Sequence, residues 1–199
     1  GVAAFYRKFI IKRALNAVIE REFPRGARLL HAGCGTGRVD TDLVKKMRVT
    51  ALDISVPALE QYRKANGRAA ELLHGSIFEI PLPDGSMDGV YNLGVMEHFS
   101  EDEIQKILAE FKRVLKPAGK AVFFWPPEFG LSVRALKLAH FVLNRVLKKN
   151  VKLHPDEITR VLSKDHVKKI VESSGMRLAG YEFGVRDLFT HSIVISQKT

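Results

Sequence analysis

The sequence predicts an α/β domain: a doubly wound, mostly parallel sheet with helices on both faces. Three observations predict it. An apolar run, Leu29-Leu30-His31-Ala32, enters a loop with glycine at alternate positions, Gly33, Gly35 and Gly37. Behind the loop, Val39, Leu43 and Val44 recur at helical spacing. Further along, Lys120–Trp125 is almost continuously apolar, as a central parallel strand should be. Strand, glycine loop, helix is the opening of a nucleotide-binding α/β unit. Glycine has no Cβ, so it permits a sharp turn and lets backbone come within contact distance of a ligand. The helix expected from about Gly37 adds unpaired N–H groups and a positive dipole end. A flat, polar, nucleoside-like ligand is therefore expected above this loop.

Each element follows in turn. Ala3–Glu22 reads as a helix with Phe5, Phe9, Ile10, Leu15, Val18 and Ile19 on its apolar side. It is expected to pack on the sheet; the alternative is a lid (1–23), with Phe5 or Tyr6 covering a ligand above the glycine loop. Pro24-Arg25-Gly26 turns the chain into the first strand. Arg48–Leu52 is the second strand and ends on Asp53, a carboxylate placed to accept both ribose hydroxyls of a nucleoside. Ile54 would lie against the base. Val56–Asn66 is a helix, with Pro57 early and Gly67 as its C-terminal cap. Ala70–Leu73 leads to His74-Gly75-Ser76-Ile77, and Met87–Leu93 to Asn92-Leu93-Gly94-Val95-Met96-Glu97-His98. Ser100 and Glu103 form a capping box for the helix Glu101–Leu115, which Lys116-Pro117-Ala118-Gly119 stops.

Composition bounds the rest. The 199 residues, 46% hydrophobic, suffice for one domain (1–199) with a substantial core. A net charge of +10 and a pI of about 9.8 suit an anionic partner or a membrane surface, and equally an ordinary basic protein. The lone cysteine, Cys34, leaves no internal disulfide and suits a reducing compartment. No apolar run approaches a membrane span and the first residues do not read as a signal peptide, so a cytoplasmic location is expected. Nothing in the sequence sets an oligomeric state.

The ordered set His31-Ala-Gly-Cys-Gly-Thr-Gly37, Leu52-Asp53-Ile54-Ser55, Leu82-Pro83-Asp84-Gly85-Ser86-Met87-Asp88, Leu93-Gly-Val-Met-Glu-His98 and Phe111-Lys-Arg-Val-Leu-Lys-Pro-Ala-Gly119 resembles the class I S-adenosylmethionine-dependent methyltransferases. The pattern is most similar to the small-molecule branch that includes the ubiquinone and menaquinone C-methyltransferases. The tail, Leu162-Ser163 through Val171-Glu-Ser-Ser-Gly-Met176, is similar too. The resemblance implies a Rossmann-like, seven-stranded sheet whose last strand is antiparallel. It implies S-adenosyl-L-methionine as cofactor and S-adenosyl-L-homocysteine as product. It assigns cofactor contacts to His31, Ala32, Gly33, Cys34, Gly35 and Gly37, to Asp53 and Ile54, to Gly75, Ser76 and Ile77, and to Asn92, Leu93 and Gly94. Within that set the glycines pass beneath methionine and ribose, and Asp53 takes the ribose hydroxyls. Ile54 and Ile77 sandwich the adenine, and Asn92-Leu93-Gly94 lies beside the sulfonium.

Two positions depart from the family. His31 stands where a carboxylate usually supports the cofactor's ammonium, and Ser76 where an acid usually meets the adenine amino group. A dinucleotide fingerprint is excluded by spacing, because Gly33-x-Gly35-x-Gly37 lacks the extra residue before the last glycine.

Methyl transfer asks little of side chains beyond alignment and water exclusion. His98, at the mouth of the fourth strand, is the candidate general base; His140, His154 and Tyr181 are weaker ones. No acidic cluster declares a metal site. Nucleic-acid bases are disfavoured as substrates, because strand four continues as Asn92-Leu93-Gly94 and Pro126-Pro127 follow strand five instead. The stretch Phe129–Leu153 is an expected helical insert, free of acids between Glu128 and Asp156. It is read as a substrate lid at 129–153, whose basic side (Arg134, Lys137, Arg145, Lys148) would also suit peripheral contact with anionic lipid. The expected function is methyl transfer to a small molecule, a lipophilic one being among the options, with oxygen, nitrogen and carbon all open as the acceptor atom. The alternative is a catalytically weak cofactor-binding protein acting through a partner or membrane, and His31 is the residue that raises it.

Overall fold

The structure, a computed structural model, describes residues 7–130 and 158–199. A short helical turn, Arg7–Ile11, leads into α1 (Lys12–Glu22), which buries Ala14, Leu15, Val18 and Ile19 at helical spacing. Phe23 is extended and ends the helix ahead of Pro24 and the turn at Gly26. Five strands and two helices follow: β1 (Arg28–Ala32), β2 (Arg48–Asp53), α2 (Val56–Asn66), β3 (Ala70–His74), β4 (Met87–Leu93), α3 (Glu101–Val114) and β5 (Leu115–Trp125). The chain closes with α4 (Lys164–Ser173), β6 (Met176–Glu182) and β7 (Ser192–Lys198).

The helix starts are set by short polar side chains. Ser55 accepts from the Ala58 N–H at 3.3 Å, with Pro57 in the first turn of α2. At α3 the capping box forms as its sequence predicts: Glu103 accepts from the Ser100 N–H at 2.8 Å, and the Ser100 hydroxyl accepts from the Glu103 N–H at 3.4 Å. Those bonds hold the Glu103 carboxyl below its usual range. They also fix where the segment leaving β4 must end.

The seven strands form one sheet in the order β3-β2-β1-β4-β5-β7-β6. All neighbours are parallel except that β7 runs antiparallel to both β5 and β6. The expected Rossmann-like, doubly wound sheet is therefore present, with its antiparallel last strand. Strand order reverses between β1 and β4, where Leu30 faces Val90 and His31 faces Tyr91. At such a switch point the loops leaving the two strands diverge and open a crevice at the carboxyl edge.

Alternation along the strands divides the core between two layers. On one face Leu30, Val90, Phe123 and Trp125 pack against Ile104, Ile107 and Phe111 of α3 and Val167 and Ile170 of α4. On the other, Leu29, Tyr91, Phe124 and Ile195 pack against Leu15, Val18 and Ile19 of α1 and Leu59 and Tyr62 of α2.

One expected element is absent. No helix starts near Gly37; the chain from Gly33 to Met47 runs through successive turns, with one short 3-10 turn at Leu43–Lys45. The apolar spacing is still used, since Leu43 is wholly buried and Val39 and Val44 pack on the same layer. What breaks the helix is Asp40. Its carboxylate is drawn into the core, where it accepts from Tyr62, and the backbone turns on Gly37 at φ +62° to deliver it. The loop consequently has no helix dipole behind it, and whatever it binds meets single turn amides.

Candidate functional site

The carboxyl ends of β1, β2 and β4 converge at the switch point. The glycine loop is tied to β2 by its own backbone: Gly33 and Cys34 N–H both donate to the Leu52 carbonyl, at 2.9 and 3.0 Å. Asp53, the last residue of β2, completes the tie. Its Oδ2 accepts from the Gly35 N–H at 2.8 Å and its Oδ1 from the Ser55 N–H at 2.9 Å. The side chain is half-buried, so each oxygen keeps acceptor capacity towards the crevice. Asp53 thus joins loop, strand and the entry to α2 through one carboxylate.

The three glycines are not equivalent. At Gly35 (φ +52°) nothing lies within 4 Å of where a Cβ would sit. At Gly33 (φ +72°) a Cβ would meet Val95 at 2.8 Å, and at Gly37 it would strike the Tyr62 ring at 2.1 Å. Only Gly35 leaves open space for a ligand, while Gly37 makes room for a protein side chain. Ala32 is wholly buried beneath them, and Cys34 is buried within the loop. Burial, with the Asp53 and Asp40 charges added, pushes the Cys34 thiol well above its ordinary range, which keeps it an unreactive thiol.

Around this centre the other predicted residues fall as follows. Ile54 is 73% exposed beside Asp53, an unusual position for isoleucine, and its carbonyl is bonded to His74 Nε2 at 3.0 Å. Gly75 N–H donates to the Asp53 carbonyl at 3.2 Å, which holds the loop after β3 next to that of β2. The Ser76 hydroxyl is engaged locally, accepting from the Phe78 N–H at 3.1 Å, and Ile77 packs one side on the core. Asn92 is wholly buried at the end of β4, and among the described residues neither its amide nitrogen nor its oxygen has a partner. Such an orphaned pair is costly and signals an unseen polar partner. Leu93 is half-buried, and Gly94 turns at φ +67° with its N–H on the Phe124 carbonyl at 3.1 Å. His98 is half-buried in the turn Met96–His98 at the mouth. Tyr181 is spent on Ser192 at 2.9 Å. Residues 131–157, which include His140, His154 and most of the expected insert, and residues 1–6, with Phe5 and Tyr6, lie outside the described residues.

His31 is placed differently from its expected cofactor-facing position. It is 2% exposed, its Nδ1 lies 2.6 Å from Asp40 Oδ2, and its ring stacks on Tyr91 at 4.4 Å. Tyr62 donates to the same Asp40 oxygen at 2.7 Å. Burial and the Asp40 charge push both tyrosine phenols up, so they stay protonated. Sequence reasoning missed Asp40, Tyr62 and Tyr91. The one available signal was an acid soon after the last glycine of the loop. Also missed were Phe78 and Phe99, edge to face at 5.3 Å beside the Ser76 loop.

At the other end of the carboxyl edge, Phe129, Phe183 and Phe189 form an edge-on cluster with centroids 5.0 and 5.5 Å apart. Next to it the buried Asp187 accepts from His191 Nδ1 at 3.0 Å. Among the described residues no group of three or more His, Cys, Asp or Glu is placed to hold a metal ion. Among them, too, no helix is long and apolar enough to cross a membrane.

Residues 30–123 match the family model described as "Methyltransferase domain". The chain is 38% identical over 125 residues to an S-adenosyl-L-methionine-dependent Diels-Alderase of Talaromyces variabilis, covering 56% of this chain and 42% of that protein. It is 37% identical over 99 residues to a malonyl-[acyl-carrier protein] O-methyltransferase of Serratia marcescens, covering 49% and 38%. The chain thus spans less than half the length of these curated relatives. Among solved structures, 1,6-didemethyltoxoflavin-N1-methyltransferase of Burkholderia thailandensis superposes with a TM-score of 0.72 at 16% identity, covering 98% of this chain and 81% of that one. That likeness is one of fold.

Proposed function

We propose that this chain is an S-adenosyl-L-methionine-dependent methyltransferase of class I that acts on a small molecule with an apolar face. The observation that carries this reading is the Asp53 carboxylate at the switch point, bonded to Gly35 N–H and still able to accept ribose hydroxyls. The described residues fit the cofactor. Gly35 leaves open space above the loop, Ile54 offers an exposed apolar face to a base, and the buried Asn92 amide lacks a partner. The matched domain and the relatives' names support the same choice.

When bound, the cofactor supplies a sulfonium-activated methyl group, so the protein need not generate an electrophile. The work of this chain is then positional. Asp53 anchors the ribose, Ile54 and Ile77 flank the base, and Asn92 with the Gly94 turn lines the methionine end. The Phe129–Phe183–Phe189 cluster lies on the same carboxyl edge and is the surface we assign to an apolar acceptor. His98 is the candidate to take a proton from the acceptor at the mouth.

Two experiments test the reading. S-adenosylhomocysteine at a hundredfold excess over its Kd is expected to raise Tm by about 5–10 °C, because a ligand held only by the native state stabilises it by about 2.7 kcal/mol. A shift with NAD and none with S-adenosylhomocysteine would overturn the cofactor. In the second, methyl-labelled cofactor is incubated with the protein and a cell extract stripped of macromolecules. Label is expected in the organic-extractable fraction. A normal thermal response without any label transfer would favour the alternative of a cofactor-binding protein that does not turn over.

A further inference from the structure

We propose that His191, held in place by the buried Asp187, is the general base of the methyl transfer, and that the acceptor is a hydroxyl or N–H group on an apolar body. The inference rests on the cofactor reading above and gives His191 the role that the sequence offers to His98. His191 is the last residue before β7, which runs antiparallel to β5 and pairs Ser192 with Trp125, so it stands at the carboxyl edge of the sheet. Register gives its distance from the reacting end. Leu93 pairs with Phe124 and Phe124 with Ile193, so β4 and β7 are two strand spacings apart, about 10 Å. Leu93, Phe124 and Ile193 pack on one layer, and alternation puts His191, two residues before Ile193, on that same face. Its ring meets Phe124 edge-on, with centroids 6.1 Å apart. One small acceptor can therefore span from the Gly94 turn to His191, and Phe189 of the aromatic cluster is two residues away in the same loop.

The connection from β6 to β7 is built around this pair. Asp187 is 1% exposed, and its Oδ2 accepts from the His191 backbone N–H at 2.7 Å and from His191 Nδ1 at 3.0 Å, with the Thr190 hydroxyl at 2.9 Å. A carboxylate oxygen only accepts, so Nδ1 carries the proton and the neutral ring keeps a lone pair on Nε2. No hydrogen bond among the described residues uses Nε2, and the side chain is 16% exposed. Leu188 and Phe189, both left-handed at φ +58°, turn the chain so that His191 folds back on Asp187. Two successive left-handed residues with a Cβ are strained, and such strain gathers at working sites. Asp187 is thus the positioning residue: it fixes the ring and its tautomer, and its charge offsets the one that Nε2 gains with a proton. As the acceptor's lone pair closes on the methyl carbon, the carbon–sulfur electron pair stays on sulfur and the acceptor's proton passes to Nε2. The imidazolium then returns that proton to water. A base helps only where the attacking atom sheds a proton, which a hydroxyl or N–H does and a carboxylate does not.

The test pairs transfer with binding. His191→Ala is assayed with methyl-labelled cofactor and the macromolecule-free extract, and its affinity for S-adenosylhomocysteine is titrated by calorimetry. Transfer is expected to fall at least about a hundredfold, the contribution of a positioned base, while S-adenosylhomocysteine binds within about twofold of wild type. Added imidazole should restore part of the transfer. Undiminished transfer overturns the proposal, as does a loss of S-adenosylhomocysteine affinity as large as the loss of transfer, or no response to imidazole. The wild-type product should carry its label on oxygen or nitrogen; a methyl ester or a carbon-bound methyl overturns the assigned acceptor. Wild-type protein that binds S-adenosylhomocysteine but transfers no label overturns the proposal, whereas one that binds none overturns the cofactor reading itself. Two measurements need no acceptor. Nitrogen chemical shifts of His191 in the free protein should show a protonated Nδ1 and a bare Nε2, and the opposite tautomer overturns the proposal. In Asp187→Asn the side chain can donate to Nδ1 as readily as accept from it, so the Nε2-protonated tautomer should appear; an unchanged tautomer overturns the role of Asp187.

Discussion

Replacing Asp53 by alanine is expected to lower affinity for S-adenosylhomocysteine and for 5′-methylthioadenosine alike, by at least about a hundredfold. Hydrogen bonds to a charged acceptor are each worth about 1.5–3 kcal/mol, and two ribose hydroxyls would be lost together. At about 1.4 kcal/mol per decade, two such bonds account for the hundredfold by themselves. The structure adds a second loss. Asp53 Oδ2 is what holds the Gly35 N–H, so the variant also frees the loop that the ligand must sit on. Both ligands carry the same ribose, so a ribose anchor must affect both. Calorimetric titration of the variant decides it, and unchanged affinity would mean that the pocket has been assigned to the wrong residues.

The glycines of the loop should respond in opposite ways. Gly37→Ala is expected to destabilise the fold by about 2–4 kcal/mol, from overpacking against Tyr62 plus a left-handed backbone on a residue with a Cβ. The clash is firm, since the ring atoms lie 2.1–2.6 Å from the added carbon and the ring is wholly buried. Moving the ring would also pull the Tyr62 hydroxyl off Asp40. Thermal denaturation should show a fall in Tm of roughly 5–15 °C. Gly35→Ala meets nothing in the protein, so only the backbone term remains, about 1 kcal/mol. Its methyl would instead occupy the open side of the loop, and affinity for S-adenosylhomocysteine should fall at least about tenfold with the fold intact. If Gly35→Ala binds normally, the ligand does not pass over the loop there.

Much of the architecture was legible because it is written in local pattern. Apolar runs of strand length, the Ser100–Glu103 box, Pro57 and Gly67 around α2, and glycine at alternate positions are short-range signals. Each states a backbone preference that tertiary packing had no reason to override. The position of Asp53 was legible for the same reason, as the residue on which an apolar run ends. Only its bond to Gly35 was not, because that depends on β2 lying beside β1.

The loop itself was misjudged where a local signal met a long-range one. Val39, Leu43 and Val44 have helical spacing, and Leu43 is buried as that spacing demands, yet no helix forms. The deciding contact joins Asp40 to Tyr62, a residue on the far side of β2 in the chain. Its existence depends on how α2 folds back over the loop. The sequence by itself determined a doubly wound α/β domain and put a glycine loop and Asp53 at one edge of its sheet. Tertiary structure alone decided that Gly37 yields to a tyrosine and that His31 turns inward to Asp40. Spacing along a chain specifies which groups share a strand or a helix face; which buried charge meets which donor is set only when separate elements pack.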